Sequence, residues 1–106
     1  MTSEKYIELR KMIETEFAKA CTKHPKFCDQ FTNKDIRIVR KTLNFMRIEN
    51  SESPFYADRI LYEEIAESIE AYLDGDKAHC IQELAQSAAV ILRMMLLVSE
   101  EMENAK

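Results

Sequence analysis

Apolar residues recur along the chain at spacings of three and four, the repeat of a helix with one buried stripe rather than the alternation of a strand. Tyr6, Leu9, Ile13, Phe17 and Ala20 make such a stripe over residues 3–21, with Ser3 placed to cap its start. It ends at Thr22-Lys23-His24-Pro25, because proline disfavours helical geometry in the residue before it. After a loop through Phe31, Ile36, Val39, Leu43 and Met46 mark a second helix that starts behind Thr32 or Asn33. The polar run Asn50-Ser51-Glu52-Ser53-Pro54 predicts a break, with Ser53 as cap and Pro54 in the first position of a third helix reaching Leu73. Its main apolar stripe is Leu61, Ile65, Ile69 and Tyr72. Asp74-Gly75-Asp76 then joins a glycine free to take left-handed φ to an aspartate able to cap a fourth helix, over residues 77–103. At about 1.5 Å per residue that helix is about 40 Å long. So short a turn between long helices predicts an antiparallel hairpin, in which residues equidistant from Gly75 face one another.

Composition narrows the class. With 106 residues, 46% of them hydrophobic, one glycine and two prolines, the chain is too apolar for disorder. It is also too poor in turn formers for a sandwich or barrel. The expected fold is one all-α, four-helix bundle-like domain over residues 1–106, with a long antiparallel hairpin of helices 3 and 4. Residues 1–5 are polar, and the longest apolar tract, residues 88–98, is interrupted by Arg93 and shorter than the roughly 20 residues of a membrane span. Three cysteines, an odd number, fit a reducing compartment. A soluble, cytoplasmic protein with no membrane partner is expected. Residues 90–98 are apolar nearly all round apart from Arg93, which predicts burial against further copies in a homodimer or higher homo-oligomer.

Charge divides between the halves. Residues 1–50 carry eleven Lys or Arg against seven acids, residues 51–106 four against twelve, and the net charge is −4. That balance argues against a general nucleic-acid binder, and the spacing offers no helix-turn-helix. In the acidic half, Glu67 and Glu83 each lie eight residues from Gly75, and Glu64 and Gln86 each lie eleven. Both pairs sit level across the hairpin, and the members of each helix are three apart, on one face. Ile60 and Ala71 flank the two acids on helix 3, and Cys80 and Val90 flank their counterparts on helix 4. Acids at such a seam repel one another and resist desolvation unless a cation joins them, and oxygen donors suit Mg²⁺ or Mn²⁺. A solvated acidic face is the ordinary alternative.

The string EEIAE at residues 63–67, the turn at Gly75-Asp76 and ELAQ at residues 83–86, followed by Ser87-Ala88-Ala89, resemble the MazG-like, all-α nucleoside triphosphate pyrophosphohydrolase family. The likeness covers residues 57–98. It implies a Mg²⁺-dependent enzyme in which water adds between the α and β phosphates, releasing a nucleoside monophosphate and pyrophosphate. It also implies Glu64, Glu67 and Glu83 as metal ligands, Glu63 as a further ligand or water-orienting group, and assembly into dimers or tetramers. Gln86 departs from the family pattern, standing where an aspartate is expected. Its amide offers one oxygen and no charge, so a weakened or inactive relative that binds nucleotide or metal is the alternative to an enzyme.

A triphosphate also needs cations from the protein. Helix 2 offers Lys34, Arg37 and Lys41 on one stripe and Arg40, Asn44 and Arg47 on another, and Arg93 is a further candidate. Which stripe faces the hairpin is left open by the sequence, and docking of a basic half on an acidic half accounts equally well for the charge division. Cys21, His24, Cys28, His79 and Cys80 match no zinc-finger spacing, no residue marks an activated thiol, and one glycine cannot build a phosphate loop.

Overall fold

A computed structural model describes residues 3–105. They form four helices, α1 (Ser3–Lys23), α2 (Ile36–Asn50), α3 (Ala57–Leu73) and α4 (Lys77–Asn104), and no strand occurs among the described residues. The fold is all-α with the expected α3/α4 hairpin. The chain divides into two compact units, Thr32–Ile91 and a second made of the residues up to Phe31 with those from Leu92 onward.

Two helix starts differ from expectation. Asp35, rather than Thr32 or Asn33, caps α2: its Oδ1 accepts from the Arg37 amide at 2.8 Å, because a short carboxylate reaches the free N–H groups of the first turn. The start of α3 lies at Ala57, not at Pro54. Ser51 and Glu52 are engaged in ending α2, their amides donating to Ile48 O and Glu49 O, and Ser51 Oγ also donates to Ile48 O at 2.7 Å. The polar run therefore terminates one helix without beginning the next. Tyr56 precedes α3 without a side-chain cap.

Within Thr32–Ile91, α2 lies antiparallel on α3. Arg40 reaches Glu70 (3.4 Å) and Asp74 (2.8 Å) near the end of α3, whereas Asn50 Nδ2, at the end of α2, donates to Arg59 O (3.2 Å) near its start. The buried apolar residues are Val39, Leu43, Ala71 and Cys80, joined by Ser68 and Ser87. The stripe 39, 43, 46 of α2 is inward as its spacing predicts. On α3 the deepest face is Ser68 and Ala71, not the Leu61–Ile65–Ile69 stripe, and Ile65 remains 38% exposed. Small residues at 68, 71, 80 and 87 let α3 and α4 approach closely, and helix separation is set by the side chains at the contact. The two serine hydroxyls are satisfied within their own helices, donating to Ile65 O and Glu83 O. Ile65 and Ile69 instead line, with Ile38, Val39 and Met46, an apolar groove of about 250 Å³ between α2 and α3.

In the other unit Leu9 is the buried residue of α1, while Phe17, from the same predicted stripe, is 70% exposed. The 28-residue α4 is long and apolar enough, by length and composition, to cross a membrane, a test that core helices of soluble proteins also pass.

Candidate metal centre

The turn sets the register. Gly75 has φ 83°, the left-handed region a side chain rarely enters, and its amide donates to Tyr72 O at 3.0 Å while Asp76 N donates to Ala71 O at 3.0 Å. These paired bonds close α3, and Asp76 Oδ1 opens α4 by accepting from the His79 amide at 3.0 Å. The turn thereby sets the register of α4, as far as Ile91, against α3.

Glu64 and Glu67 on α3 and Glu83 on α4 then offer one carboxylate oxygen each, all within 4.8 Å of one another. Glu83 is buried and the other two are half-buried. With the Gln86 amide turned so that its nitrogen faces the acids, it donates to Glu64 Oε2 at 3.1 Å and Glu83 Oε2 at 3.2 Å. Glu63 sits beside the group rather than in it, where Asn50 Nδ2 donates to its Oε1 at 3.0 Å.

Like charges in a half-buried seam shift the titration upward. Burial first, then the hydrogen bond shared with Glu83 and the charge of Glu64, push Glu67 up to about 7. Glu64 is also raised, by burial and by the charges of Glu83 and Glu63. A proton on one acid relieves this repulsion, and so does a cation. The three carboxylates offer oxygen alone, the donor type that hard divalent ions take, while the Gln86 amide as turned presents its nitrogen to them.

The basic residues separate. Arg47 reaches the cluster, with Nη2 at 3.7 Å from Glu67 Oε1. Arg40, on the same stripe, is held two turns away by Glu70 and Asp74, and Asn44 is exposed. Docking of basic α2 on acidic α3 thus accounts for part of the charge division. Arg37 folds back onto its own cap, Nη2 at 2.9 Å from Asp35 Oδ2, which holds that carboxyl below its usual range. Lys34 lines the α2/α3 groove, and Lys41 is exposed. Arg93 is exposed and belongs to the other unit.

Two residues outside the sequence-level candidates touch this constellation. Asn50 holds Glu63, a tertiary contact with no local signal. His79 Nε2 lies 2.9 Å from Glu83 Oε1, and its spacing of four residues before that acid is the signal that marks it. Cys80, beside it, is buried, and burial pushes its thiol up, away from nucleophilic reactivity.

Compared with protein-family models, with curated proteins and with solved structures, the chain matches none.

Proposed function

We propose that this chain is a Mg²⁺- or Mn²⁺-dependent nucleoside triphosphate pyrophosphohydrolase. The observation that carries the reading is the approach of one oxygen each from Glu64, Glu67 and Glu83 to within 4.8 Å of one another. These three residues would hold the ion, with Gln86 able to add its amide oxygen by rotating. A bound divalent ion supplies positive charge to the phosphates and to the bond that breaks. Arg47 stands where it can exchange Glu67 for a phosphate oxygen, and Glu63, steadied by Asn50, is the group placed to orient water. One water adds at phosphorus, the bridge between the α and β phosphates breaks, and a nucleoside monophosphate and pyrophosphate leave. Exposed Ile38, Phe45, Ile48 and Ile81 support a homo-oligomeric protein, since exposed apolar side chains favour association.

A second reading, a nucleotide- or metal-binding regulatory module without turnover, is favoured by Gln86, which removes one negative charge from the donor set. The assay that separates them is pyrophosphate release with Mg²⁺ or Mn²⁺ across a panel of nucleoside triphosphates. Turnover supports the enzyme, and metal-dependent thermal stabilisation without turnover supports the module. In the enzyme, Gln86→Asp strengthens metal binding by about tenfold and raises the rate at limiting Mg²⁺. A rate unchanged by Gln86→Asp at limiting metal means that Gln86 lies outside the donor set.

A further inference from the structure

The groove between α2 and α3 opens on a second apolar face of both helices. On α2, Ile38, Thr42 and Phe45 follow one another at steps of four and three, and on α3 Tyr62, Ile65 and Ile69 do so at three and four. Alternating steps of this kind form the seam between helices packed nearly in line. Val39 and Leu43 already supply the buried side of α2, so the outer stripe is left over: Ile38 and Phe45 are each 62% exposed, and Tyr62 is 54% exposed. Thr42 directs its hydroxyl to Ile38 O at 3.0 Å, within its own helix, and brings no unmet polar group to the seam.

Charge marks the two ends of this face. Lys34 is the one charged residue among those lining the groove, at the end where α2 begins and α3 closes. Asp58, in the first turn of α3 and four residues before Tyr62 on the same stripe, stands at the opposite end. Both are exposed, and neither takes part in an ion pair among the described residues. A two-fold axis lying across both helices at mid-groove reverses the ends, so that Lys34 of each copy arrives where Asp58 of the other stands. The face thus matches itself when turned round, as a two-fold interface requires. At about 1.5 Å per residue and about 10 Å across each helix, α2 and α3 offer a footprint of about 22 by 20 Å. A standard interface takes about 800 Å² of accessible surface from each partner, which calls for a two-helix partner over the whole face rather than one helix seated in the groove.

We propose that two copies of the chain pair through this face, α2 and α3 of each forming one four-helix layer, with Lys34 set against Asp58 of the partner subunit. This names the interface of the homo-oligomer and rests on that reading, not on the metal centre. It places the contact within Thr32–Ile91 and not on residues 90–98, from which the sequence predicts association.

Sedimentation of the full chain over a range of concentrations tests it. Wild type is a dimer at micromolar concentration. Ile38→Asp puts a charge into the seam at an already exposed position and weakens dimerisation by about a hundredfold or more, with helix content by circular dichroism unchanged. Lys34→Glu and Asp58→Lys each bring like charges together twice in the dimer and weaken it by about tenfold, whereas the double exchange restores opposite charges and returns the affinity to within about threefold of wild type. Ile81→Asp, on α4 and outside this face, leaves the dimer intact. A dimer that survives Ile38→Asp, one lost in Ile81→Asp, or a double exchange no tighter than the single ones overturns the proposed face and leaves the homo-oligomer standing. A wild-type chain that sediments as a monomer overturns both and leaves the face to a helical partner of another kind.

Discussion

Glu67→Gln is expected to lower pyrophosphate release by at least about a hundredfold and, in the same protein, to raise the melting temperature of the metal-free form. The two effects have opposite signs because one charge does both jobs. Glu67 is pushed up to about 7 by burial, by its hydrogen bond to Glu83 and by the charge of Glu64. In the unfolded chain it titrates near the ordinary glutamate value of about 4.3. Between those values the folded state holds more protons than the unfolded one, so its stability falls as pH rises through the window and the full cost is present above about 7. Glutamine carries no charge to desolvate, so the variant loses most of that slope. A residual slope persists, because Glu64 is raised by burial and by Glu83 and Glu63. Loss of the Arg47 contact opposes the gain only slightly, since a partly exposed ion pair at 3.7 Å contributes about 1 kcal/mol at most. Thermal melts of both proteins at several pH values, run with chelator and again with Mn²⁺, read all of this. A Glu67→Gln protein with near-normal turnover removes Glu67 from the chemistry.

Leu43→Ala tests the scaffold instead of the site, and its expected cost is about 3 kcal/mol, within the roughly 2 to 5 kcal/mol range of buried leucine truncations. Leu43 is fully buried, and few other apolar side chains among the described residues are buried with it. Stability of a domain this size is about 5 to 15 kcal/mol, and the truncation removes a large share of it. Urea unfolding followed by circular dichroism should show a midpoint shifted well down, with metal affinity of the folded fraction retained, because Leu43 carries no donor atom. A cost below about 1 kcal/mol would mean that the packing of α2 is not the heart of the fold.

How much of this the sequence could reveal follows from where each constraint lies. The hairpin was legible because its register is local: the lone glycine and Asp76 fix the turn, and counting outward from Gly75 brings Glu64, Glu67, Glu83 and Gln86 together. The boundaries around residues 50–56 were not, since the serines can serve either helix and here bond backward to Ile48. Hydrophobic spacing on α3 pointed to Ile65 as the inner face, yet the seam is the small-residue face of Ser68 and Ala71, where packing distance decides and hydrophobicity does not. Among the basic residues, Arg37 has a local partner in Asp35 two residues away, whereas the acid that Arg47 meets lies across the interhelical contact and depends on how α2 is rotated against α3. Asn50 was illegible for the same reason.

The most direct test of the metal centre is titration of the wild-type chain with Mn²⁺ just below neutral pH, in buffers of different ionisation enthalpy. Uptake of one ion accompanied by proton release is the expected result, because Glu67, at about 7, is partly protonated there and must give up its proton to become a ligand. The same titration on Glu67→Gln should show weaker uptake without that proton. No uptake of Mn²⁺ by the wild type, even in the presence of a nucleoside triphosphate, would contradict the account.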